Sequence, residues 1–360
     1  MPTPLHAIVG LSGGVDSAVA AWLLKEQGYR VSALFMQNWA EDESGYCTSA
    51  QDFQDARAVA DELGIPLHKV DFSAEYRERV FAAFIAQIKA GKTPNPDVLC
   101  NREIKFQPFV EHARRLGADR IATGHYARIE HTPQGPQLLR AADENKDQTY
   151  FLAGVARAHF ADVLFPIGDL TKPEVRAIAA RAGLPNHRKK DSTGICFIGE
   201  RPFAEFLAEH VPPNPGVIES DDGAVLGSHY GLQFFTLGQR KGVGVGGVRG
   251  GKETPWYVVA KDLTRNVLLV AQNAQHPLLM THAVHTEAFH WLRQPPVNAL
   301  ALSGRVRHRQ PLAHCTVSVS ESGEVVAHFE AAQRAVAAGQ YLALYDGQEC
   351  LGCGEIAGTG

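Results

Sequence analysis

Cysteine is scarce in this chain, and its six copies in 360 residues are too dispersed for a secreted disulfide scaffold. They stand at Cys47, Cys100, Cys196, Cys315, Cys350 and Cys353. That usage reads as a reducing cytosol, so a cytoplasmic location is expected, with any special cysteine reactive rather than structural. Long apolar runs are also missing: none reaches the ~18 residues a membrane helix needs. Met1 to Gly10 lacks the basic head and long apolar core of a secretory signal. No internal repeat and no low-complexity segment appears. Acidic residues vanish between Gly223 and Lys252, where Arg240, Lys241, Arg249 and Lys252 remain. A second basic cluster is Arg305, Arg307, His308 and Arg309. Each cluster alone is most simply a solvated face. The net charge of −4 argues weakly against a nucleic-acid partner, yet phosphate contacts need only one basic face.

The chain is long enough for two or three domains. Its first half alternates short apolar runs with amphipathic stretches. His6–Leu11, Val31–Met36, Leu67–Phe72 and Arg120–Thr123 read as strands. Ser17–Gln27, Gln51–Leu63, Ala74–Ala90 and Phe109–Leu116 read as helices, the first three stopped by Gly28, Gly64 and Gly91. Alternation of this kind implies an α/β fold with a parallel sheet and helices on both faces. Ligands of such sheets lie at the carboxyl ends of the strands, where Gly10, Met36 and Gly124 would gather. Thr171 and Pro173 open a further helix that Gly183 stops. Beyond about residue 220 the texture changes. Trp256–Ala260, Val267–Val270, Leu300–Arg307, Cys315–Val319, Glu324–Phe329 and Tyr341–Tyr345 read as short strands, and a small C-terminal β-barrel is expected.

Ser12-Gly13-Gly14-Val15-Asp16-Ser17 follows a strand and opens a helix. Glycines let backbone approach a phosphate, and a helix N-terminus offers free N–H groups and partial positive charge. The hydroxyls of Ser12 and Ser17 add donors. A Walker A loop would require Gly-Lys where Val15-Asp16 stands. The carboxylate of Asp16 instead suggests a Mg²⁺ partner for departing pyrophosphate. The plainer alternative is a glycine turn capped by Ser12 with no ligand. Gly246 to Lys252 imitates a Walker A, but Glu253 follows it and a strand comes next, so a flexible basic loop is expected there. The Ser12–Ser17 loop resembles that of the pyrophosphatase-loop ATPases, which cleave ATP between the α- and β-phosphates and adenylate an oxygen.

Cys100 lies in Thr93-Pro94-Asn95-Pro96-Asp97-Val98-Leu99-Cys100, where two prolines suggest a rigid loop. Cys196 lies in Lys189-Lys190-Asp191-Ser192-Thr193-Gly194-Ile195-Cys196, and cations at Lys189 and Lys190 would favour a thiolate there. An isolated cysteine is more often a small buried hydrophobe. Two cysteines in polar segments beside a phosphate loop fit a sulfur transfer. These segments, with Ala122–Arg128, Asn145–Gln148, Thr236–Gly242 and Ala338–Gln340, make the chain similar to the tRNA-specific 2-thiouridylases of the wobble position. The similarity runs over nearly the whole length.

That resemblance implies an ATP-pyrophosphatase domain over 1–200, a small central domain over 201–268 and a β-barrel over 269–360. It implies sulfurtransferase activity on wobble uridine in the anticodon stem-loop of tRNA, with ATP and Mg²⁺ as cofactors and no protein-built metal site. The expected partners are tRNA and an upstream persulfide donor such as a cysteine desulfurase or sulfur-relay protein; no membrane is expected. ATP would contact Gly10, Leu11, Ser12, Gly13, Gly14, Val15, Asp16, Ser17, Met36 and Gly124. The target base would meet Asn95, Pro96 and Asp97, with Asp97 as acid or base; turn chemistry alone would make Asp97 a local cap. His125, Lys146, Asp147, Gln148, Arg307, His308 and Gln340 would contact tRNA. Cys196 would carry a persulfide and Cys100 act as nucleophile, the two passing through a transient disulfide. Either free sulfide is released first or the persulfide attacks the base first; both routes stay open. His308 and Cys353 stand where tyrosine and glycine are usual in the family, and Ala18 where serine is frequent. The CxxC spacing of Cys350 and Cys353 lacks further ligands for zinc. Two other readings remain: a pyrophosphatase-loop ligase for a small molecule, and a non-catalytic RNA-binding protein.

Overall fold

The computed structural model describes residues 3–39, 49–191, 202–245 and 254–360. In the first part, β1 (His6–Gly10), β2 (Arg30–Gln37), β3 (Leu67–Asp71) and β4 (Arg120–Thr123) form a parallel sheet, extended by Val163–Leu164 in the order β3-β2-β1-β4 and then Val163–Leu164. β1 is central and nearly devoid of polar side chains, as a strand covered on both faces must be. Helix α1 (Val15–Glu26) leaves the loop after β1 and buries Val15, Ala18, Val19, Ala20, Ala21 and Leu24. Its small residues let it lie close to the sheet. Gly28 ends it at φ +86°, with Tyr29 N–H donating to Leu24 C=O at 3.1 Å, the left-handed stop that glycine accommodates at little cost. Helix α2 (Ser49–Leu63) buries Ala56, Val59, Ala60 and Leu63, a stripe at helical spacing.

The stretch Thr93–Cys100, expected as a loop, is a helical turn over Pro96–Cys100 that continues as a wider π-helical turn over Asn101–Lys105. The physical reason lies in two residues. Asn95 caps the turn, its side chain accepting from Asp97 N–H at 3.2 Å and Val98 N–H at 3.4 Å. Pro96 then occupies the first helical position, where a missing N–H costs nothing.

The central part is a four-stranded sheet in the order Tyr257–Asp262, Val267–Ala271, Gly216–Ser220, Val225–His229. The C-terminal strands Met280–Trp291, Val325–Arg334, Ala313–Val319, Leu300–Arg305, Tyr341–Asp346 and Glu349–Thr359 pair in that order, and the last pairs back onto the first. The barrel is thereby closed, which leaves it no open edge. Sequence reading missed its first and last strands. It also missed the hairpin Ala127–Thr132/Gly135–Arg140, which leaves the parallel sheet and joins the barrel where Leu139 pairs with Glu349. Four hydrophobic clusters fill the space among the described residues: one on each side of the parallel sheet, one inside the barrel, and a small one of Val259, Ala271, Leu279 and Ala335 where the central sheet meets the barrel. No helix among the described residues is long and apolar enough to cross a membrane.

Candidate functional site

Gly10 pairs with Leu34 on one side and Thr123 on the other, so the loops after β1, β2 and β4 emerge side by side. This juxtaposition brings Gly10–Ser17, Met36 and Gly124 to one end of the sheet. Gly14 caps α1 without a side chain, so the first N–H groups of the helix remain available to an anion. Ser17 Oγ donates to Gly14 C=O at 3.1 Å and accepts from Ser12 N–H at 3.2 Å, which closes the loop on itself. Gly13 has φ +79°, and a Cβ there would stand 2.3 Å from the Asp52 carbonyl oxygen of α2. At Gly124 a Cβ would lie 2.6 Å from Ser17 N and 2.8 Å from Asp16 C. Both glycines are therefore demanded by close backbone approach.

The carboxylate of Asp16 is not open as the sequence suggested. Its Oδ1 accepts from Lys172 Nζ at 2.7 Å and from Tyr126 Oη at 2.9 Å. Lys172 Nζ also meets Asp191 at 2.8 Å, while Lys146 and Arg176 reach Asp191 at 2.7 Å each. Burial opposes ionisation of Asp191, but Lys146 and Lys172 outweigh it and bring its carboxyl down to about 2. Lys172, Tyr126 and Asp191 were missed as loop partners. The one available signal was Thr171-Lys172-Pro173-Glu174, read only as a helix start. It is a capping box, and it plants Lys172 at the head of the helix Lys172–Arg181 beside the loop. The other Asp16 oxygen takes no hydrogen bond among the described residues. A single protein oxygen suits Mg²⁺, which fills its shell with water and substrate phosphates. Among the described residues no group of three or more His, Cys, Asp or Glu side chains is placed to hold a metal.

Asp97 and Cys100 sit three residues apart in the Pro96–Cys100 turn, so their side chains share one face. Cys100 is buried. Burial pushes the Asp97 carboxyl up, and the charge of Lys105 pulls it partly back. A link to the phosphate loop runs through the residue after Gly124: His125 is buried with its ring 6.1 Å from that of Phe106, at the end of the turns that carry Cys100. Its Nδ1 lies 2.7 Å from Thr123 Oγ1, and burial holds its pKa well below the usual histidine value, so the ring is neutral. Cys196 and Cys47 lie outside the described residues, as does the Gly246–Lys252 stretch. Lys189, expected to favour a Cys196 thiolate, has its ammonium committed to α2, with Asp52 at 2.8 Å and Asp55 also in contact.

Of the residues assigned to tRNA by resemblance, His125 lies beside Phe106, Gln340 Nε2 donates to Thr93 C=O at 2.7 Å, and the other five separate into two groups. Lys146 and Gln148 remain half-exposed beside the Asp191 cluster, with Gln148 Oε1 accepting from Tyr126 N–H at 2.9 Å. Asp147, Arg307 and His308 lie where the catalytic part meets the barrel. The Asp147 side chain is 0% exposed and pairs with Arg305 Nη2 at 3.0 Å. His308 Nε2 donates to Asp147 C=O at 2.9 Å, and its ring packs 4.2 Å from that of Phe151. Arg307 reaches the carbonyls of Ala335 at 3.2 Å and Leu237 at 3.4 Å. Most of the basic cluster at 305–308 is thus spent on holding domains together. Cys315 is buried inside the barrel, whereas Cys350 and Cys353 are buried in the cluster that the barrel shares with the first part of the chain, Cys350 Sγ reaching Thr149 C=O at 4.0 Å. Burial pushes the thiols of Cys315 and Cys353 up to about 12, so they are inert as nucleophiles.

A family model described as "tRNA methyl transferase HUP domain" matches residues 5–200. "tRNA methyl transferase PRC-barrel domain" matches 204–272, and "Aminomethyltransferase beta-barrel domain" matches 281–356. A protein named tRNA-specific 2-thiouridylase MnmA from Chromohalobacter salexigens is 54% identical over 359 residues, covering 99% of this chain and 94% of that protein. The protein of that name from Alcanivorax borkumensis is 52% identical, covering 99% of each. Among solved structures, the "U34-tRNA thiolase NcsA from Methanococcus maripaludis with its [4Fe-4S] cluster" aligns at 19% identity and TM-score 0.36, over 57% of this chain and 63% of that one. By identity at this level over almost every residue, the chain belongs to the tRNA-specific 2-thiouridylase family.

Proposed function

We propose that the chain is an ATP-dependent sulfurtransferase that replaces the 2-oxygen of the tRNA wobble uridine with sulfur. The observation that carries this reading is the coincidence, in one chain, of full-length kinship with 2-thiouridylases and an intact, lysine-free phosphate loop. A uridine carbonyl carbon resists sulfur because its oxygen leaves poorly; adenylation converts that oxygen into part of AMP. The α1 N-terminus and the Ser12 and Ser17 hydroxyls hold the phosphates while pyrophosphate departs. Gly10 and Leu11 lead the backbone in, Val15 supplies a helical N–H, and Met36 and Gly124 border the adenosine. Mg²⁺ would neutralise charge on the pyrophosphate, with the free oxygen of Asp16 as its protein contact.

Asn95, Pro96 and Asp97 meet the target base, and Asp97 takes or returns a proton at its carboxylate. An anticodon loop offers its unpaired base at low cost. The terminal sulfur of a Cys196 persulfide attacks the activated carbon, and AMP leaves with the former carbonyl oxygen. The Cys100 thiolate then attacks Cys196 Sγ. The S–S bond to the base breaks, its electron pair becomes the thiocarbonyl, and a Cys100–Cys196 disulfide remains for a cellular thiol to reduce. In the other order Cys100 first releases sulfide, which attacks the carbon. An upstream persulfide donor, such as a cysteine desulfurase or relay protein, reloads Cys196. Lys146 and Gln148 face the tRNA; Asp147, Arg307 and His308 act by fixing the barrel against the catalytic part, and His125 by supporting the helix of Cys100. The division into 1–200, 201–268 and 269–360 and a cytoplasmic location belong to the same proposal.

The test is thiolation in vitro with tRNA, ATP, Mg²⁺ and a sulfide or desulfurase donor, comparing wild type with Cys196→Ser. Thiouridine and AMP from wild type alone are expected. AMP formed on a small acceptor, with no tRNA thiolated under either donor, would overturn the proposal in favour of a ligase.

A further inference from the structure

The catalytic turn Pro96–Cys100 is entered through Gly91–Pro94, and that entry is held from outside its own domain. Thr93 N–H donates to Ala338 C=O at 2.8 Å. Gln340 Nε2 donates to Thr93 C=O at 2.7 Å and reaches Pro94 C=O at 3.5 Å. Between them Gly339 has φ +87°, and a Cβ on it would stand 3.1 Å from both Thr93 N and Thr93 C. Only glycine lets the barrel strap come this close. Tyr341, the next residue, is fixed through both its backbone groups: its N–H donates to Tyr150 Oη at 3.2 Å, and its C=O accepts from that hydroxyl at 3.0 Å.

The strap is in turn tied to its own barrel. Gly339 N–H donates to Ile356 C=O at 3.0 Å, and Ile356 N–H donates to Gln340 C=O at 2.7 Å. Lys92 adds ion pairs to Glu355 at 2.8 Å and Glu287 at 3.4 Å, both on barrel strands. The central sheet contributes as well, since Lys261 Nζ donates to Gly91 C=O at 3.3 Å. Only the NH₂ end of an amide can face two carbonyls, so the Gln340 side chain is oriented by this contact and its oxygen points away.

We infer that Gln340 is a positioning residue of the thiolation reaction: through the Thr93 peptide it sets the helical turn that carries Asn95, Asp97 and Cys100. This rests on the function proposed above and goes beyond it, because resemblance assigns Gln340 to tRNA contact alone. The barrel then serves as a second support of the catalytic turn, besides any part it has in docking RNA. A group whose support shifts by an ångström can lose ~100-fold in rate without losing its chemistry.

The experiment uses the full chain with Gln340→Ala and Gln340→Glu. The second keeps the volume and sets a carboxylate against the two carbonyls. Three quantities are read: kcat and KM for unmodified tRNA, tRNA affinity by filter binding, and the alkylation rate of Cys100 in a Cys196→Ser background without tRNA. Expected are a kcat lowered ~10–100-fold, a KM and tRNA affinity within about twofold of wild type, and a Cys100 alkylation rate changed at least about threefold, with Gln340→Glu the more affected. Weakened tRNA affinity with unchanged kcat and unchanged alkylation would overturn the inference and leave Gln340 a tRNA contact. Wild type that thiolates nothing would sink the proposed function instead, and the alkylation comparison would still decide whether Gln340 positions Cys100.

Discussion

Arg305→Met removes a guanidinium from the junction of catalytic part and barrel while keeping most of the side-chain volume. In the native structure Arg305 is 5% exposed and Asp147 0%, with 3.0 Å between Nη2 and Oδ2. The variant strands Asp147 out of water. Its carboxylate keeps Thr149 Oγ1 at 2.9 Å and Ala141 N–H at 3.2 Å, but loses its charge partner. Arg305 also donates to His308 C=O at 3.1 Å and lies 5.0 Å from the centre of the Tyr345 ring, so the barrel side loosens too. Removing one member of a buried pair costs about 3–5 kcal/mol, against at most about 1 kcal/mol for an exposed pair. Adding Asp147→Asn removes the stranded charge and should return about half of that loss. Urea unfolding at neutral pH, with midpoint and slope compared across the two single variants and the double, reads the coupling. A loss below about 1 kcal/mol at unchanged slope in Arg305→Met would refute the reasoning, because the junction would then not depend on this pair.

Gly124→Ala drives a methyl against the backbone of Asp16 and Ser17, where a Cβ has 2.6–2.9 Å. Calorimetric ATP titration should show affinity weakened by more than about tenfold, with a stability loss of about 1–3 kcal/mol; unchanged affinity would detach Gly124 from the loop. Asp97 is raised by burial and lowered by Lys105. Its contribution to stability is therefore present at low pH and lost as pH climbs through its raised folded value. Lys105→Met removes the lowering influence, so the limb of the pH–rate profile that Asp97 governs, the acidic one if it acts as base and the basic one if it acts as acid, should move to higher pH; a profile with both limbs in place would exclude Asp97 as the titrating group. Burial brings Lys261 down from 10.5 to about 8. Between those values the unfolded chain binds more protons, so stability should rise with pH by up to about 3 kcal/mol. Unfolding curves of Lys261→Met should lack that rise, and an equal rise in the variant would refute the assignment.

Local chemistry determined much of this protein. The alternation of apolar runs with helical stripes determined the parallel sheet, because period and glycine stops are properties of a few neighbouring residues. Ser12–Ser17 announced an anion-binding helix terminus for the same reason. Asn95-Pro96 is a helix start, but prolines on both sides of Asn95 fit a rigid loop equally well, and only the bonds from Asp97 and Val98 N–H to the Asn95 side chain distinguish the two. The partners of those residues came only from the tertiary structure. Lys172, 156 residues from Asp16, reaches its carboxylate because the helix it opens packs beside α1. Arg305 reads as part of a solvated basic face and Asp147, by resemblance, as a tRNA contact; they form a dry pair because a hairpin of the catalytic part is added to the barrel. The long strands Met280–Trp291 and Glu349–Thr359 escaped pattern reading because bulges break their alternation, and barrel closure supplies the partners that make them strands. Gln340 belongs to the same class: whether its amide meets solvent, RNA or the Thr93 carbonyl depends on contacts between residues 247 positions apart, which no local pattern encodes.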